Sequence, residues 1–275
     1  MAFQRVLSGI VTYNPDINRL IENINAIAPQ VTTVLIVDNG SNNCKEIDSL
    51  LNNHVNVSIV YLHENKGIAY ALNRILSYAE SHNYDWFLTL DQDSVVPENL
   101  IEEYSKATSI DKVALITCNI VDRNFEDKVP SVAYDYVSTC ITSACLTNTR
   151  IARYVGGFDD TLFIDSVDHD LCIRIIRSGY KIYRMNNVNL LHELGHSHKI
   201  SFWGFNYVVY NHSKFRYYYI FRNRIILGRK YGTMKSSIKY ILLRFFSILF
   251  FEKESYAKIK SAISGTVDGL KFKLL

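Results

Sequence analysis

The amino-acid sequence predicts an α/β protein: a Rossmann-like, mostly parallel, doubly wound sheet followed by a C-terminal helical extension. Three observations predict it. Over the first 100 residues, short β-branched runs alternate with stretches whose apolar residues recur at helical spacing, the order of a parallel sheet with right-handed crossovers. Polar residues crowd the points where successive strands end. Of 275 residues, 48% are hydrophobic and 21% charged, the balance of a chain with a real core rather than a disordered one.

The elements follow in order. RVLSGIVTY (5–13) reads as a strand that stops at Asn14-Pro15-Asp16, and in INRLIENINAIA (17–28) Ile17, Leu20, Ile21, Ile24 and Ile27 share one helical face. VTTVLIVD (31–38) is the next strand, with a turn at Asn39-Gly40-Ser41 and a helix over 44–53. NVSIVYL (56–62) is a third strand, Gly67 to His82 a helix, and DWFLTLD (85–91) a fourth strand. In such sheets ligands sit beyond the carboxyl ends of the strands, which points to Thr12–Asn14, Asp38–Ser41, Asn65–Gly67 and Asp91–Asp93. Residues 113–195 are more mixed: a strand VALIT, then YDYVSTCITSACLTN as strand or hairpin, then helices. From 199 onward the pattern is helical and amphipathic. No Pro/Gly/Ser linker, internal repeat or low-complexity segment separates these regions.

The formal net charge of +3 conceals a division. Residues 1–198 hold 15 basic and 24 acidic side chains, a net of −9, while residues 199–275 hold 15 basic and 3 acidic ones, a net of +12. Those last 77 residues also contain 18 of the 35 aromatics. Two regions are therefore expected, an acidic sheet domain over 1–198 and a basic, aromatic-rich helical region over 199–275. The start, MAFQRVLSGIVTYNP, lacks an apolar run of secretory length, so no signal peptide is expected. No run reaches the about 18 apolar residues of a membrane-spanning helix. The five cysteines (44, 118, 140, 145 and 172) include no CxxC and read as reduced, mostly buried thiols of a cytoplasmic protein.

Three motifs can carry chemistry. Asp91-Gln92-Asp93 ends an apolar strand. On an extended chain its two carboxylates point the same way and can converge on a hard cation such as Mg²⁺ or Mn²⁺, which in turn bridges phosphates. In GGFDDTLFIDSVDHDLCIR (156–174), Asp165, Asp168 and Asp170 lead into a helix. That is more acid than one N-cap needs, and one of them can serve as a general base. His192-Glu193-Leu194-Gly195-His196 formally satisfies the zinc-protease HExxH pattern, but Gly195 weakens the helix the motif requires and no third ligand is evident. A single His completing the Asp91/Asp93 metal is the better reading.

Taken in order, Thr12-Tyr13-Asn14-Pro15, Val37-Asp38-Asn39-Gly40-Ser41, Asn65-Lys66-Gly67-Ile68-Ala69 with Asn73, Asp91-Gln92-Asp93-Ser94 and the 156–174 segment resemble the family 2 glycosyltransferases of the GT-A fold. Within that family they look most like the bacterial rhamnosyltransferase branch that builds surface polysaccharides such as O antigen. The resemblance implies a metal-dependent, inverting transfer of L-rhamnose from dTDP-L-rhamnose to a glycan or lipid-linked acceptor. By similarity Thr12, Tyr13, Asn14, Asp38, Asn39, Asn65, Gly67, Asn73, Asp91 and Gln92 would line the nucleotide sugar. Asp93, with Asp91 and His192, would hold the Mg²⁺ or Mn²⁺. Asp168 would be the base, with Asp165 the fallback because Val167 replaces the family's usual Glu, and Asp170 would cap the helix.

Two rivals remain at this level. Asp91-Gln92-Asp93-Ser94-Val95 fits the DxDx[TV] of a haloacid-dehalogenase-like phosphatase literally, but three βα units precede it where that motif ends the first strand. A noncatalytic nucleotide-sugar or membrane-binding protein of the same fold would have lost its base or metal ligand, and neither loss is seen. The C-terminal region reads either as an interfacial element attracted to anionic lipid, which would keep a cytoplasmic protein peripheral on the inner face of the membrane, or as a helical subdomain or homodimer interface. No nucleic-acid recognition module is visible, and no nucleic-acid partner is expected.

Overall fold

The computed structural model describes residues 5–50, 55–122, 132–192, 198–202 and 205–274, with backbone alone at 122 and over 191–192, 198–202 and 205–208. The chain divides into two compact units, one of Met1–Thr161 with Val167–Glu193 and one of Leu162–Ser166 with Leu194–Leu275.

The first unit is the sheet. Strands β1 (Val6–Thr12), β2 (Thr33–Asp38), β3 (Val57–Tyr61) and β4 (Trp86–Asp91) pair in parallel in the order β3-β2-β1-β4. All seven residues of β1 are buried, as expected of a central parallel strand covered on both faces. The crossovers are α1 (Ile17–Ile27), α2 (Cys44–Ser49) and α3 (Ile68–Ser81). Asp16 caps α1, accepting from the backbone N–H groups of Asn18 at 2.9 Å and Arg19 at 3.2 Å, and Leu20, Ile24 and Ile27 then turn to the core.

Beyond β4 the sequence expectation needs correcting. The 134–148 stretch is neither one strand nor a hairpin. It forms β6 (Tyr134–Val137) at the sheet edge and β7 (Cys145–Asn148) inserted antiparallel between β4 and β5 (Val113–Asp122). No Gly or Pro marks the break between β6 and β7, and the chain turns instead at Ala144, whose φ is 52°. After α4 (Leu100–Ser105), α5 (Thr149–Tyr154) and α6 (Val167–Arg177) comes a strand, β8 (Lys181–His192), where helix had been expected. It runs parallel to β5 with a break in register, Cys118 pairing Met185 but Asn119 pairing Asn189. The polar Asn186-Asn187 that bulges there interrupts the alternation by which a strand is read.

The second unit opens with a hairpin, β9 (His198–Phe202) and β10 (Phe205–Val209), again where helix had been expected. Helices α7 (Lys214–Tyr231), α8 (Met234–Phe251) and α9 (Ser255–Lys271) follow. Tyr217, Phe221 and Ile225 of α7 form its core with Ile241 and Ile248 of α8 and Ala262 of α9. Gly265 and Gly269, four apart on α9, bring that helix against the α7 backbone; a Cβ on Gly269 would come within 2.6 Å of the Arg222 carbonyl. A buried ion pair, Lys258 Nζ to Glu252 Oε2 at 3.0 Å, ties the start of α9 to the end of α8, and the Tyr217 hydroxyl donates to the same carboxylate.

His212, just before α7, lies against the rings of Tyr210 and Tyr217. Burial first, then the charges of Arg216, Arg244 and Lys258, pushes its pKa down from 6.5 to about 3. Between those values the unfolded chain binds a proton that the folded unit refuses, so stability falls as pH drops through that window. His212→Gln is expected to flatten this part of the profile. Thermal midpoints of wild type and variant, compared from about pH 7 down to about pH 4, check it; parallel curves would refute the assignment.

Candidate active site

The expected ligand positions come together at one end of the sheet. In the parallel register Thr12 pairs Asp38, Asp38 pairs Tyr61 and Val11 pairs Asp91, so the loops after β1, β2, β3 and β4 leave the sheet side by side.

Asp38 is the hub of these loops. It is 1% exposed and accepts from the Thr12 hydroxyl at 3.0 Å, from the backbone N–H groups of Gly40 at 3.2 Å and Ser41 at 3.0 Å, and from the Ser41 hydroxyl. The Ser41 hydroxyl oxygen also accepts from the Asn14 N–H at 2.8 Å, and Asn14 Oδ1 accepts from the Asn42 N–H at 2.8 Å. Gly40 has φ 85°, and a Cβ there would sit 2.6 Å from the Glu64 backbone carbon, so only glycine lets the β2 and β3 loops approach this closely. The buried Asn39 completes the tie. Its amide donates to Asn65 Oδ1 at 3.0 Å and accepts from the Lys66 N–H at 2.9 Å, and Asn65 Oδ1 also accepts from the Gly67 N–H at 3.0 Å.

Gln92 links the fourth loop to the first, its Oε1 accepting from the Tyr13 N–H at 2.9 Å. Asp91 is half-buried at the last position of β4, and Asp93 is exposed two residues on. Among the described residues no group of three or more His, Cys, Asp or Glu side chains could hold a metal by itself. The Asp91/Asp93 donor set nevertheless fits Mg²⁺ or Mn²⁺, because such ions are commonly held by one or two carboxylates with the remaining positions taken by water and substrate phosphate. His192 ends β8, and its side chain lies outside the described residues, as do Glu193, Gly195 and His196.

The three aspartates of the 156–174 segment separate. Asp165 belongs to the second unit, where the Arg216 guanidinium grips it through Nε at 3.2 Å and Nη2 at 3.1 Å. Asp170 is not a cap. It is fully buried inside α6 and pairs with Arg174 one turn on, at 2.7 Å. Asp168 stands in the first turn of α6, half-buried, with Oδ1 bonded to the His169 backbone N–H at 2.8 Å and 3.0 Å from His169 Nδ1. It borders a small cleft also lined by Cys140, Cys145, Cys172, Thr142 and Phe158.

Some contributors were missed from sequence. All five cysteines are free thiols, but three of them converge, Cys140 Sγ lying 3.8 Å from both Cys145 Sγ and Cys172 Sγ. Hydrogen bonding to those two thiols, and then burial, pushes the Cys140 pKa up, while the bond from Cys140 holds Cys172 down. Asn23 sits fully buried on the apolar face of α1 and donates to the Asp91 carbonyl at 2.7 Å. A lone polar residue within that stripe was the available signal. Ser143 bonds Ser94 Oγ at 2.6 Å beneath the Asp93 turn.

Residues 9–170 match the family model described as Glycosyl transferase family 2. The chain is 26% identical over 287 residues to the dTDP-rhamnosyl transferase RfbF of Shigella flexneri, covering 97% of this chain and 95% of that protein. Its fold is similar to that of S. aureus TarS 1–349 solved in complex with UDP, at TM-score 0.53 and 13% identity over 98% of this chain and 72% of that one. It is also similar to GalNAc-T7 solved with UDP, GalNAc and Mn²⁺, at TM-score 0.59 and 12% identity over 83% of this chain and 48% of that one.

Asn73 of α3 bonds both backbone groups of Phe158, donating to its carbonyl at 2.7 Å and accepting from its N–H at 2.9 Å, and also donates to Asp160 Oδ1 at 2.6 Å. Asn73→Ala is therefore expected to destabilise the sheet unit by roughly 2 kcal/mol, the cost of stranded polar groups. Urea unfolding measures it; an unchanged midpoint would mean that this amide holds nothing.

Proposed function

The chain belongs to glycosyl transferase family 2, and from that membership we propose a metal-dependent, inverting rhamnosyltransferase that uses dTDP-L-rhamnose. That it is a glycosyltransferase of the GT-A kind follows from the family match and the fold. The same match displaces the phosphatase reading of Asp91–Val95. The donor rests on the relative named as a dTDP-rhamnosyl transferase, which parallels this chain over 97% of its length. The observation that carries the site is the set of four strand-end loops tied together around Asp38, with Asp93 left exposed.

In this reading Tyr13 and Asn14 contact the nucleotide, and Asp38, Asn39, Asn65 and Gly67 hold the loops that receive it. Thr12, Gln92 and Asn73 act likewise through the loops they brace. Asp93 holds Mg²⁺ or Mn²⁺, with Asp91 and His192 as further ligands, and the bound ion supplies charge neutralisation at the diphosphate. Asp168 takes the proton from the acceptor hydroxyl. The acceptor oxygen forms its bond to the anomeric carbon from the face opposite the diphosphate. The bond from that carbon to the diphosphate oxygen breaks, and dTDP leaves with the electron pair. One displacement without a protein nucleophile inverts the anomeric centre. Asp165 is a poor base because Arg216 already occupies its carboxylate.

In this reading the acceptor is a glycan or lipid-linked glycan of surface polysaccharide assembly, and the enzyme works peripherally at the inner face of the cell membrane. No helix among the described residues is long and apolar enough to cross a membrane, so any attachment through them is peripheral.

A panel of nucleotide sugars with Mg²⁺ or Mn²⁺ tests the reading. Release of dTDP is expected from dTDP-L-rhamnose above all other donors, and turnover confined to UDP- or GDP-sugars would sink the donor assignment. Asp93→Ala should lower turnover roughly a hundredfold or more; full metal-dependent turnover in that variant would remove Asp93 from the metal site. Asp168→Asn should lower kcat by about 10²–10⁴ with donor affinity little changed, and a loss confined to donor affinity would rule out the base role.

A further inference from the structure

Helix α8 buries one face and leaves the other bare. Ile241 and Ile248 join the core of the second unit, with Ser237 and Ser247 also buried. Ile238, Leu242, Leu243, Phe246, Leu249 and Phe250 are exposed, Leu242 at 63% and Phe250 at 61%. At about 100° per residue these six fall within an arc of about 140°, and exposed Lys235 and Lys239 lie in the same arc. Singly exposed apolar side chains are ordinary, but six on one face mark an interaction surface.

We propose that this face docks on an anionic lipid bilayer. Helix α8 would lie in the interface plane, with its Phe and Leu side chains at the acyl boundary and Lys235 and Lys239 at the headgroup phosphates. Charge argues for this occupant. Helix α8 carries Lys235, Lys239 and Arg244 and no acid, in a region of net charge +12. A second copy of the same unit offers few anions to meet it: Glu252 is buried with Lys258 and Tyr217, Asp268 is bonded to the Tyr218 hydroxyl at 2.8 Å, Asp165 is held by Arg216, and Glu254 is exposed. The apolar run is too short and too interrupted to cross a bilayer, so the helix lies on the surface. The inference deepens the lipid-linked acceptor reading, but its test reads binding rather than turnover.

The full chain should co-sediment with vesicles of equimolar phosphatidylcholine and phosphatidylglycerol, less so at high salt, and not with phosphatidylcholine alone. The triple variant Leu242→Ser, Phe246→Ser, Phe250→Ser should bind at least roughly tenfold more weakly. Lys235→Gln with Lys239→Gln should cost about thirtyfold, from about 1 kcal/mol for each basic residue at such a surface. The substituted residues are solvent-exposed, so far-UV circular dichroism and the thermal midpoint should not change. Failure to bind anionic vesicles, or binding that survives both variants, overturns the proposal. So does a dimer in sedimentation velocity that the triple variant dissociates without any vesicle binding, since the face would then be a self-interface. Vesicle binding without sugar transfer would overturn only the enzymatic reading, and sugar transfer without vesicle binding only this one.

Discussion

The carboxylate of Asp38 accepts hydrogen bonds from the last residue of β1 and from its own turn, and Ser41 passes the tie on to Asn14. Asn39, the next residue, extends the network to the β3 loop, and Gln92 closes it from β4. A buried carboxylate without partners would be costly, and Thr12, Gly40 and Ser41 supply those partners to Asp38. The end of the sheet that would receive a nucleotide sugar is thus organised before any ligand arrives, and pre-organisation of this kind spares the ordering cost of binding.

A second constraint lies in the short segment 162–166. Phe163, Asp165 and Ser166 all have φ near 63–65°, a region that non-glycine residues adopt only when their surroundings impose it. In the second unit Asn223 imposes it, its buried side-chain amide donating to the carbonyls of Leu162, Ile164 and Asp165 at 2.8–2.9 Å, while Phe163 stacks on Tyr219 with ring centroids 4.9 Å apart. The residues immediately before Asp168 are therefore shaped by a helix more than fifty positions later in the chain.

That dependence explains what could and could not be read from sequence. Strands β1 to β4 and their helices were legible because their periodicities are clean and each ends in a polar loop. Strand β7 was not, because inserting an antiparallel strand between β4 and β5 is a long-range choice that no local pattern encodes. Strand β8 was obscured by its own bulge at Asn186-Asn187. At the candidate site, the family motifs nominated residues without showing what each one bonds to. Asn73 and Asn39 face inward as braces, and Asp165 could look like a base in sequence because Arg216, its partner, is 51 positions away.

The exposed positions carry a consequence of their own. Tyr13 is 47% exposed and Asp93 is open to solvent, whereas the bracing is done by buried groups such as Asp38, Asn39 and Asn23. The scaffold and its working surface therefore accept mutation on different terms. A substitution at an outward-facing side chain leaves the buried hydrogen bonds intact, so it can change what that surface contacts at little cost to the fold.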